Sequence, residues 1–218
     1  MDPLKKIDGH VSANAANACP RRRPWLGLLL VAGVLQTGAA LGDNPDKAAA
    51  IVAANCAACH GMDGNSTVPN FPKLAGRHPE YIARELNEFV TGKRKSDIMA
   101  PISAALDPED FKLLGAYFGA QKATRGAVQD PKVADEGRKF YFEGNEQSGV
   151  PACEGCHGTD AQGGKRFPRL AGQHREYLID QLYKFRTNAR IATRIMREVS
   201  NRMTDAEIKA VADYLTGL

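Results

Sequence analysis

The segment Cys56-Ala-Ala-Cys-His60 recurs 97 residues later as Cys153-Glu-Gly-Cys-His157. A C-x-x-C-H pentapeptide is typical of a c-type haem attachment site. Its two thiols can form thioethers with the haem vinyl groups, and the histidine that follows can bind the iron as proximal ligand. The two pentapeptides therefore predict two covalently bound haem c groups. The predicted attachment residues are Cys56, Cys59, Cys153 and Cys156, and the predicted proximal iron ligands are His60 and His157.

Paired cysteines also occur in zinc sites and in thioredoxin-like redox motifs. The two pairs of a zinc ribbon are usually about 15–20 residues apart, whereas 93 residues separate Cys59 from Cys153. A zinc site would also leave His60 and His157 without a role. A thioredoxin-like motif belongs to alternating strands and helices, a pattern that this sequence lacks. We therefore favour haem over both alternatives.

Residues 1–42 have the features of a signal peptide. Three arginines at 21–23 precede an apolar run at 25–35, and small residues make Ala40 or Gly42 suitable cleavage positions. The apolar run is shorter than the ~20 residues that a membrane span needs. We expect this segment to direct export to the periplasm and to be removed. An uncleaved segment that keeps the protein at the membrane is the alternative.

Charge and cysteine content narrow the classes of partner. Outside residues 1–42 the chain keeps 24 of its 29 basic side chains and 23 of its 25 acidic ones. A nucleic-acid-binding domain usually has a marked basic excess, so no nucleic acid partner is expected. Cys19 lies in the predicted signal peptide, which leaves four cysteines for haem attachment.

An internal repeat organises the remainder of the chain. The run from Phe71 to Tyr81, FPKLAGRHPEY, recurs from Phe167 to Tyr177 as FPRLAGQHREY. The repeat predicts two related domains, at residues 43–126 and 127–218. Because no alternating strand pattern is present, we expect both domains to be all-helical.

Helix-start signals occur at corresponding places in the two copies. Asn44-Pro45 and Asp130-Pro131 each combine an N-cap residue with a proline at the first helical position. Further helices are predicted to begin after the equivalent residues His78 and His174. The last helix of each copy should begin near Asp107 and, through a capping box, at Thr204.

The second axial ligand decides whether an iron carries electrons or binds a substrate. Met62 follows His60 too closely to reach the opposite face, so Met99 is the methionine candidate in the first copy. The second copy offers Met196 and Met203, and only Met196 repeats Met99 at the 97-residue offset. Iron with histidine and methionine ligands has no open site, so we expect single-electron transfer and neither catalysis nor a small-molecule substrate.

The sequence resembles the dihaem cytochrome c4 family. The resemblance rests on the tandem haem motifs, the Pro-x-Leu-Ala-Gly runs that begin at Pro72 and Pro168, and the methionines before a capped last helix. It covers essentially all of residues 43–218. It implies tandem class I cytochrome c domains that form a periplasmic or membrane-associated carrier, which passes electrons from a respiratory donor to a terminal oxidase or reductase.

The resemblance implies a role for two prolines, and the positions of other residues suggest roles near the haem. The carbonyls of Pro72 and Pro168 would accept the ring N–H of the proximal histidine. Tyr81 and Tyr177 are placed at the haem edge, with plain core packing as the alternative. His78 and His174 would be structural or would contact a propionate, and axial ligation is the other reading. The placement of basic residues near the two methionines suggests that they neutralise propionates or steer an acidic partner, and a solvated basic face without a role is the alternative; the residues are Lys93, Arg94, Lys95, Arg186, Arg190, Arg194 and Arg197.

Two other functions are compatible with two haems. A dihaem enzyme, such as a peroxidase or a sulfur-compound dehydrogenase, would need an accessible iron or an unusual ligand. A subunit of a membrane complex would retain its N-terminal segment and copurify with that complex. The matched methionines favour the independent electron carrier.

Overall fold

The computed structural model of the chain describes residues 44–191 and 194–218. The predicted signal peptide lies outside the described residues. Both sequence copies belong to one compact unit. Within the described ranges the structure is helical, and its only β-type pairings are two isolated bridges. None of the helices described there is both long enough and apolar enough to cross a membrane.

The first copy is built from five α-helices and one π-helical segment. They are α1 (Pro45–Ile51), the π-helical segment Val52–Cys56, α2 (Ala57–His60), α3 (Pro79–Val90), α4 (Met99–Ala104) and α5 (Asp110–Gly119). The π-helical segment joins α1 directly to α2, so the first haem motif is part of a continuous helical stretch.

The second copy repeats this order with longer first, fourth and last helices. They are α6 (Pro131–Glu143), α7 (Glu154–His157), α8 (Arg175–Arg186), α9 (Arg194–Arg202) and α10 (Asp205–Thr216). The prediction of two related all-helical domains is confirmed.

The predicted caps are present at three helix starts. The Asn44 side chain accepts from the Lys47 N–H at the start of α1, and the Asp130 side chain accepts from the Lys132 N–H at the start of α6. Thr204 and Glu207 form a complete capping box at α10. Helices α3 and α8 begin directly after His78 and His174. Helix α5 begins at Asp110, three residues later than expected.

The two copies differ before the haem motif. Pro45 precedes Cys56 by 11 positions, whereas Pro131 precedes Cys153 by 22. The additional residues follow the end of α6 and form a turn in which the backbones of Asn145 and Val150 pair, with N–O distances of 2.8 and 2.9 Å. The 97-residue offset therefore does not extend to the first helices.

Each copy has its own core. In the first copy α3 packs on α5 around Val52, Ile82, Leu86, Phe111, Leu114 and Phe118. In the second copy α6 packs on α10, and the core includes Phe140, Tyr141, Leu178, Ile208, Val211 and Leu215. A Cβ atom added to Gly137 would lie 1.9 Å from the Ala210 carbonyl oxygen. A glycine is therefore required where α6 crosses α10.

Candidate haem sites

The first copy encloses a cavity of about 730 Å³ beside its C-x-x-C-H motif. This volume lies within the ~300–1,000 Å³ range of small-molecule and cofactor sites. Cys56, Cys59 and His60 line one side of the cavity, and Met99 also faces it. The remaining wall is largely apolar and includes Ile82, Leu86, Phe89, Ile102, Leu106, Leu114 and Phe118. The motif residues and these walls fit a flat apolar ring system attached through the two cysteines.

The two motif histidines make the same hydrogen bond. His60 Nδ1 lies 2.8 Å from the Pro72 carbonyl oxygen, and His157 Nδ1 lies 3.0 Å from that of Pro168. Because a carbonyl oxygen can only accept, Nδ1 carries the proton and Nε2 keeps its lone pair. Burial lowers the pKa of both histidines, which favours neutral imidazole. Each ring is therefore in the tautomer that can bind a metal through Nε2.

The motif cysteines lack the properties of the two alternative sites. Burial raises the pKa of Cys56 and of Cys153 to about 11, whereas redox-active cysteines usually have a lowered pKa. Among residues 44–191 and 194–218, no cluster of three or more His, Cys, Asp or Glu side chains could hold a metal ion. These observations support neither a thioredoxin-like pair nor a zinc site.

The candidate methionines Met99 and Met196 both lie in helices. Met99 is the first residue of α4, lines the cavity and packs against the first core. Met196 is the third residue of α9 and is half-buried. Met203 is only 6% exposed within the second core. Its counterpart Leu106 packs against the first core and contributes to the cavity wall.

Tyr81 and Tyr177 meet arginines from the opposite copy. Arg190 Nη2 donates to Tyr81 Oη at 3.1 Å, and Arg94 Nη2 donates to Tyr177 Oη at 2.8 Å. The backbones of the two arginines also form an antiparallel bridge. All four residues line the cavity. Arg94 and Arg190 were expected among the basic groups that flank the methionines, and the structure places both between the domains.

Arg94 and Arg190 form an arginine cluster together with one acid, Glu85, and one amide, Gln181. Glu85 Oε2 accepts from Arg94 at 2.5 Å and from Arg190 at 2.7 Å. Gln181, at the equivalent position of the second copy, accepts from the same arginines at 3.1 and 2.6 Å. Two guanidinium groups thus face one carboxylate. A buried excess of positive charge is costly unless an anion is near, so the cluster fits a cofactor that carries carboxylates.

The other predicted polar residues have varied roles. His174 Nε2 donates to the Ser66 carbonyl at 2.9 Å across the domain boundary, while His78 pairs with Glu80 at 2.5 Å. Arg186 donates to Asp205 at 2.7 Å and to the Met203 carbonyl at 2.7 Å, so it stabilises the second domain. By contrast, Lys93, Lys95, Arg194 and Arg197 are exposed.

The chain is similar to known c-type cytochromes. The cytochrome c family model matches residues 45–118 and 134–218. Cytochrome c4 from Thiocapsa roseopersicina is 44% identical over 75% of this chain and 86% of its own length. The crystal structure of reduced recombinant cytochrome c4 from Pseudomonas stutzeri superposes with a TM-score of 0.76 at 36% identity, covering 81% of this chain and all of that one. A protein of Thiomonas intermedia named thiosulfate dehydrogenase electron acceptor is 34% identical over 75% of this chain and 78% of its own length.

Proposed function

Because the chain belongs to the dihaem cytochrome c4 family, we propose that it is a periplasmic two-haem shuttle with histidine and methionine ligands at both irons. It is an electron carrier with two covalently bound haem c groups. Its donor would be a respiratory complex, and its acceptor a terminal oxidase or reductase. We assign the two haem domains to residues 43–126 and 127–218.

The matched hydrogen bonds of His60 and His157 carry the proposal. Each orients a neutral imidazole with Nε2 free, at 2.8 and 3.0 Å from a proline carbonyl. When bound, haem c supplies a one-electron couple between ferric and ferrous iron. Met99 faces the first cavity, and Met196 is its repeat equivalent. A thioether ligand favours ferrous iron and closes the site to substrates.

Contacts between the two domains support transfer of electrons between the two haems. Arg94, Arg190 and Tyr177 line the cavity of the first domain although two of them belong to the second. Lys73 Nζ also donates to the Thr124 carbonyl at 3.0 Å, which ties the segment between the domains to the first domain. A single docked arrangement would keep the two cofactors in a fixed relation.

Export and the class of partner are further parts of the proposal. The signal-like residues 1–42 support a periplasmic location, with membrane association through an uncleaved segment as the alternative. The relative named thiosulfate dehydrogenase electron acceptor adds sulfur-oxidising dehydrogenases to the class of donors. Electron acceptance from such an enzyme requires no catalytic activity in this chain.

A spectroscopic comparison of methionine variants tests the ligand assignment. Intact mass should show two haems, and the near-infrared spectrum of the ferric protein should report methionine at both irons. Met99→Ala and Met196→Ala should each abolish one methionine signal, whereas Met203→Leu should retain both. Loss of a signal in Met203→Leu, or rapid binding of cyanide or peroxide by the unaltered ferric protein, would contradict the proposal.

A further inference from the structure

One peptide group links an iron ligand to the opposite domain. The carbonyl oxygen of the Pro72–Lys73 peptide accepts from His60 Nδ1 at 2.8 Å. The N–H of the same peptide donates to Gln173 Oε1 at 2.9 Å. Gln173 belongs to the second domain and is only 2% exposed. A chain of two hydrogen bonds therefore runs from Gln173, through this peptide, to the proximal histidine of the first domain.

The surrounding hydrogen bonds determine the orientation of the Gln173 amide. Its Nε2 donates to the Lys73 carbonyl at 3.0 Å, and its Oε1 also accepts from the His174 N–H at 3.0 Å. The backbone carbonyl of Gln173 accepts from Thr216 Oγ1 at 2.9 Å. A flipped amide would point its NH₂ group at two N–H donors, so the oxygen must face Lys73.

The equivalent position in the first domain is Arg77, which has different chemistry. Arg77 Nη1 donates across the boundary to the Arg169 carbonyl at 3.0 Å, and its Nε donates to the Lys73 carbonyl at 2.8 Å. A guanidinium has only donors. Arg77 therefore cannot accept from the N–H of the Pro168–Arg169 peptide, which is the peptide bonded to His157. The cross-domain link is specific to the first haem site.

Hydrogen bonds in a chain polarise one another. An acceptor on the N–H side of a peptide increases the negative charge on its carbonyl oxygen, and in condensed phases this strengthens the next hydrogen bond by about 10–30%. A stronger bond from His60 Nδ1–H makes the imidazole more basic. A more basic ligand favours ferric iron, and such hydrogen bonding is a known determinant of haem potential.

We propose that Gln173 is a positioning residue that lowers the reduction potential of the first haem through the Pro72–Lys73 peptide. The inference rests on the proposed function, in which His60 is the proximal ligand. Because Gln173 belongs to the second domain, the potential of the first site depends on domain docking. Because Arg77 and Gln173 differ in hydrogen-bonding capacity, two haem sites with the same ligand set have different reduction potentials.

The test uses the full-length dihaem protein with Gln173→Met, which keeps the side-chain length and removes the acceptor. His174→Leu is the matched control. It removes the adjacent cross-domain hydrogen bond to the Ser66 carbonyl and leaves the hydrogen bond from the Lys73 N–H to Gln173 intact. We expect Gln173→Met to raise the reduction potential of the first haem relative to that of the second haem. The expected change in the equilibrium constant for electron exchange between the haems is about threefold, or about 28 mV at 59 mV per tenfold. His174→Leu should leave it unchanged.

Nuclear magnetic resonance of the ferrous protein provides the direct readout. In Gln173→Met the His60 Nδ1 proton should move upfield while that of His157 stays in place. Gln173→Glu retains an acceptor oxygen, and its negative charge makes a stronger hydrogen bond with the Lys73 N–H. In this variant the His60 Nδ1 proton should therefore move downfield. That variant tests the inference even where Gln173→Met does not fold.

Two results would overturn the inference. One is an unchanged His60 proton in the Gln173 variants, and the other is an equal change of potential in His174→Leu. Failure of the proposed function is a separate result, because the unaltered protein would then lack histidine and methionine ligation at the first iron.

Discussion

Arg190 of the second domain donates to Glu85 of the first at 2.7 Å, and both side chains are less than a tenth exposed. Arg94 shares the same carboxylate at 2.5 Å. The domain interface is therefore organised around buried charges rather than around an apolar contact. Removal of one member of such a cluster lowers the free energy of unfolding by far more than the whole cluster contributes, because the remaining charges stay buried without a partner.

Substitution of Glu85 should destabilise the docked protein. Glu85→Ala leaves two buried guanidinium groups without a carboxylate, and we expect the free energy of unfolding to fall by about 3–5 kcal/mol in denaturant titrations. Glu85→Gln copies Gln181 and keeps one acceptor oxygen, so its loss should be smaller. Glu143→Gln removes an exposed pair with Lys139 and should cost less than about 1 kcal/mol. Equal losses of unfolding free energy in Glu85→Ala and Glu143→Gln would contradict the prediction.

Stability should decrease on acidification through the same residue. Burial alone would raise the pKa of Glu85, but Arg190 and Arg94 outweigh burial and hold the pKa below its ordinary value of 4.5. The unfolded chain therefore binds the proton first, and the stabilisation is complete above pH 4.5 and is lost as pH falls through the native pKa. Unfolding free energies measured between about pH 6 and pH 3 should fall more steeply for the unaltered protein than for Glu85→Gln. Parallel curves would contradict the prediction.

The crossing of α6 and α10 should not tolerate a side chain at Gly137. Gly137→Ala would place its Cβ atom 1.9 Å from the Ala210 carbonyl oxygen, and the two backbones would have to separate. We expect a loss of at least about 3 kcal/mol in unfolding free energy. Gly155→Ala is the control, because nothing lies within 4 Å of the added carbon and Ala58 already occupies the equivalent position. A cost below about 1 kcal/mol for Gly137→Ala would show that the helices adjust freely.

Absence of haem from the first domain should unfold that domain. Cys56→Ala combined with Cys59→Ala removes both thioether bonds, and the apolar walls of a cavity of about 730 Å³ would then lack their filling. A domain of this size buries only about 60% of its unfolded surface and is marginal without additional core. Mass spectrometry should count one haem, and far-ultraviolet circular dichroism should show loss of helix. Cys153→Ala with Cys156→Ala is the reciprocal variant. Full helicity in a one-haem protein would contradict the prediction.

Several features were predictable because they depend on residues close together in the chain. Asn44, Asp130 and Thr204 start helices through contacts two or three residues away. The haem motifs are pentapeptides whose chemistry is complete within five residues. The repeat predicts Met196 rather than Met203 as the second iron ligand, and that assignment stays a prediction; Met203 lies in a core position, and its counterpart Leu106 packs against the first core.

Other features were missed because their partners lie far along the chain. Arg94 and Arg190 resemble solvent-exposed basic residues when only their neighbours are considered, but both lie between the domains, where Arg190 is buried and Arg94 is largely buried. Gln173 contacts Lys73 across 100 positions, and no pattern near either residue indicates that contact. A comparison of the two copies could have drawn attention to positions 77/173 and 85/181, where equivalent residues differ in hydrogen-bonding capacity.

The sequence by itself determined two helical haem domains and the order of their helices, and it predicts their attachment residues. These properties follow from covalent chemistry, capping and periodicity, which act over a few residues. Only the tertiary structure decided how the two domains meet, and with it the burial of Arg94 and Arg190 and the contact of Gln173 with the Pro72–Lys73 peptide. The physical reason is that a buried charge or amide takes its partners from whatever surface is packed against it, and that surface comes from the other copy.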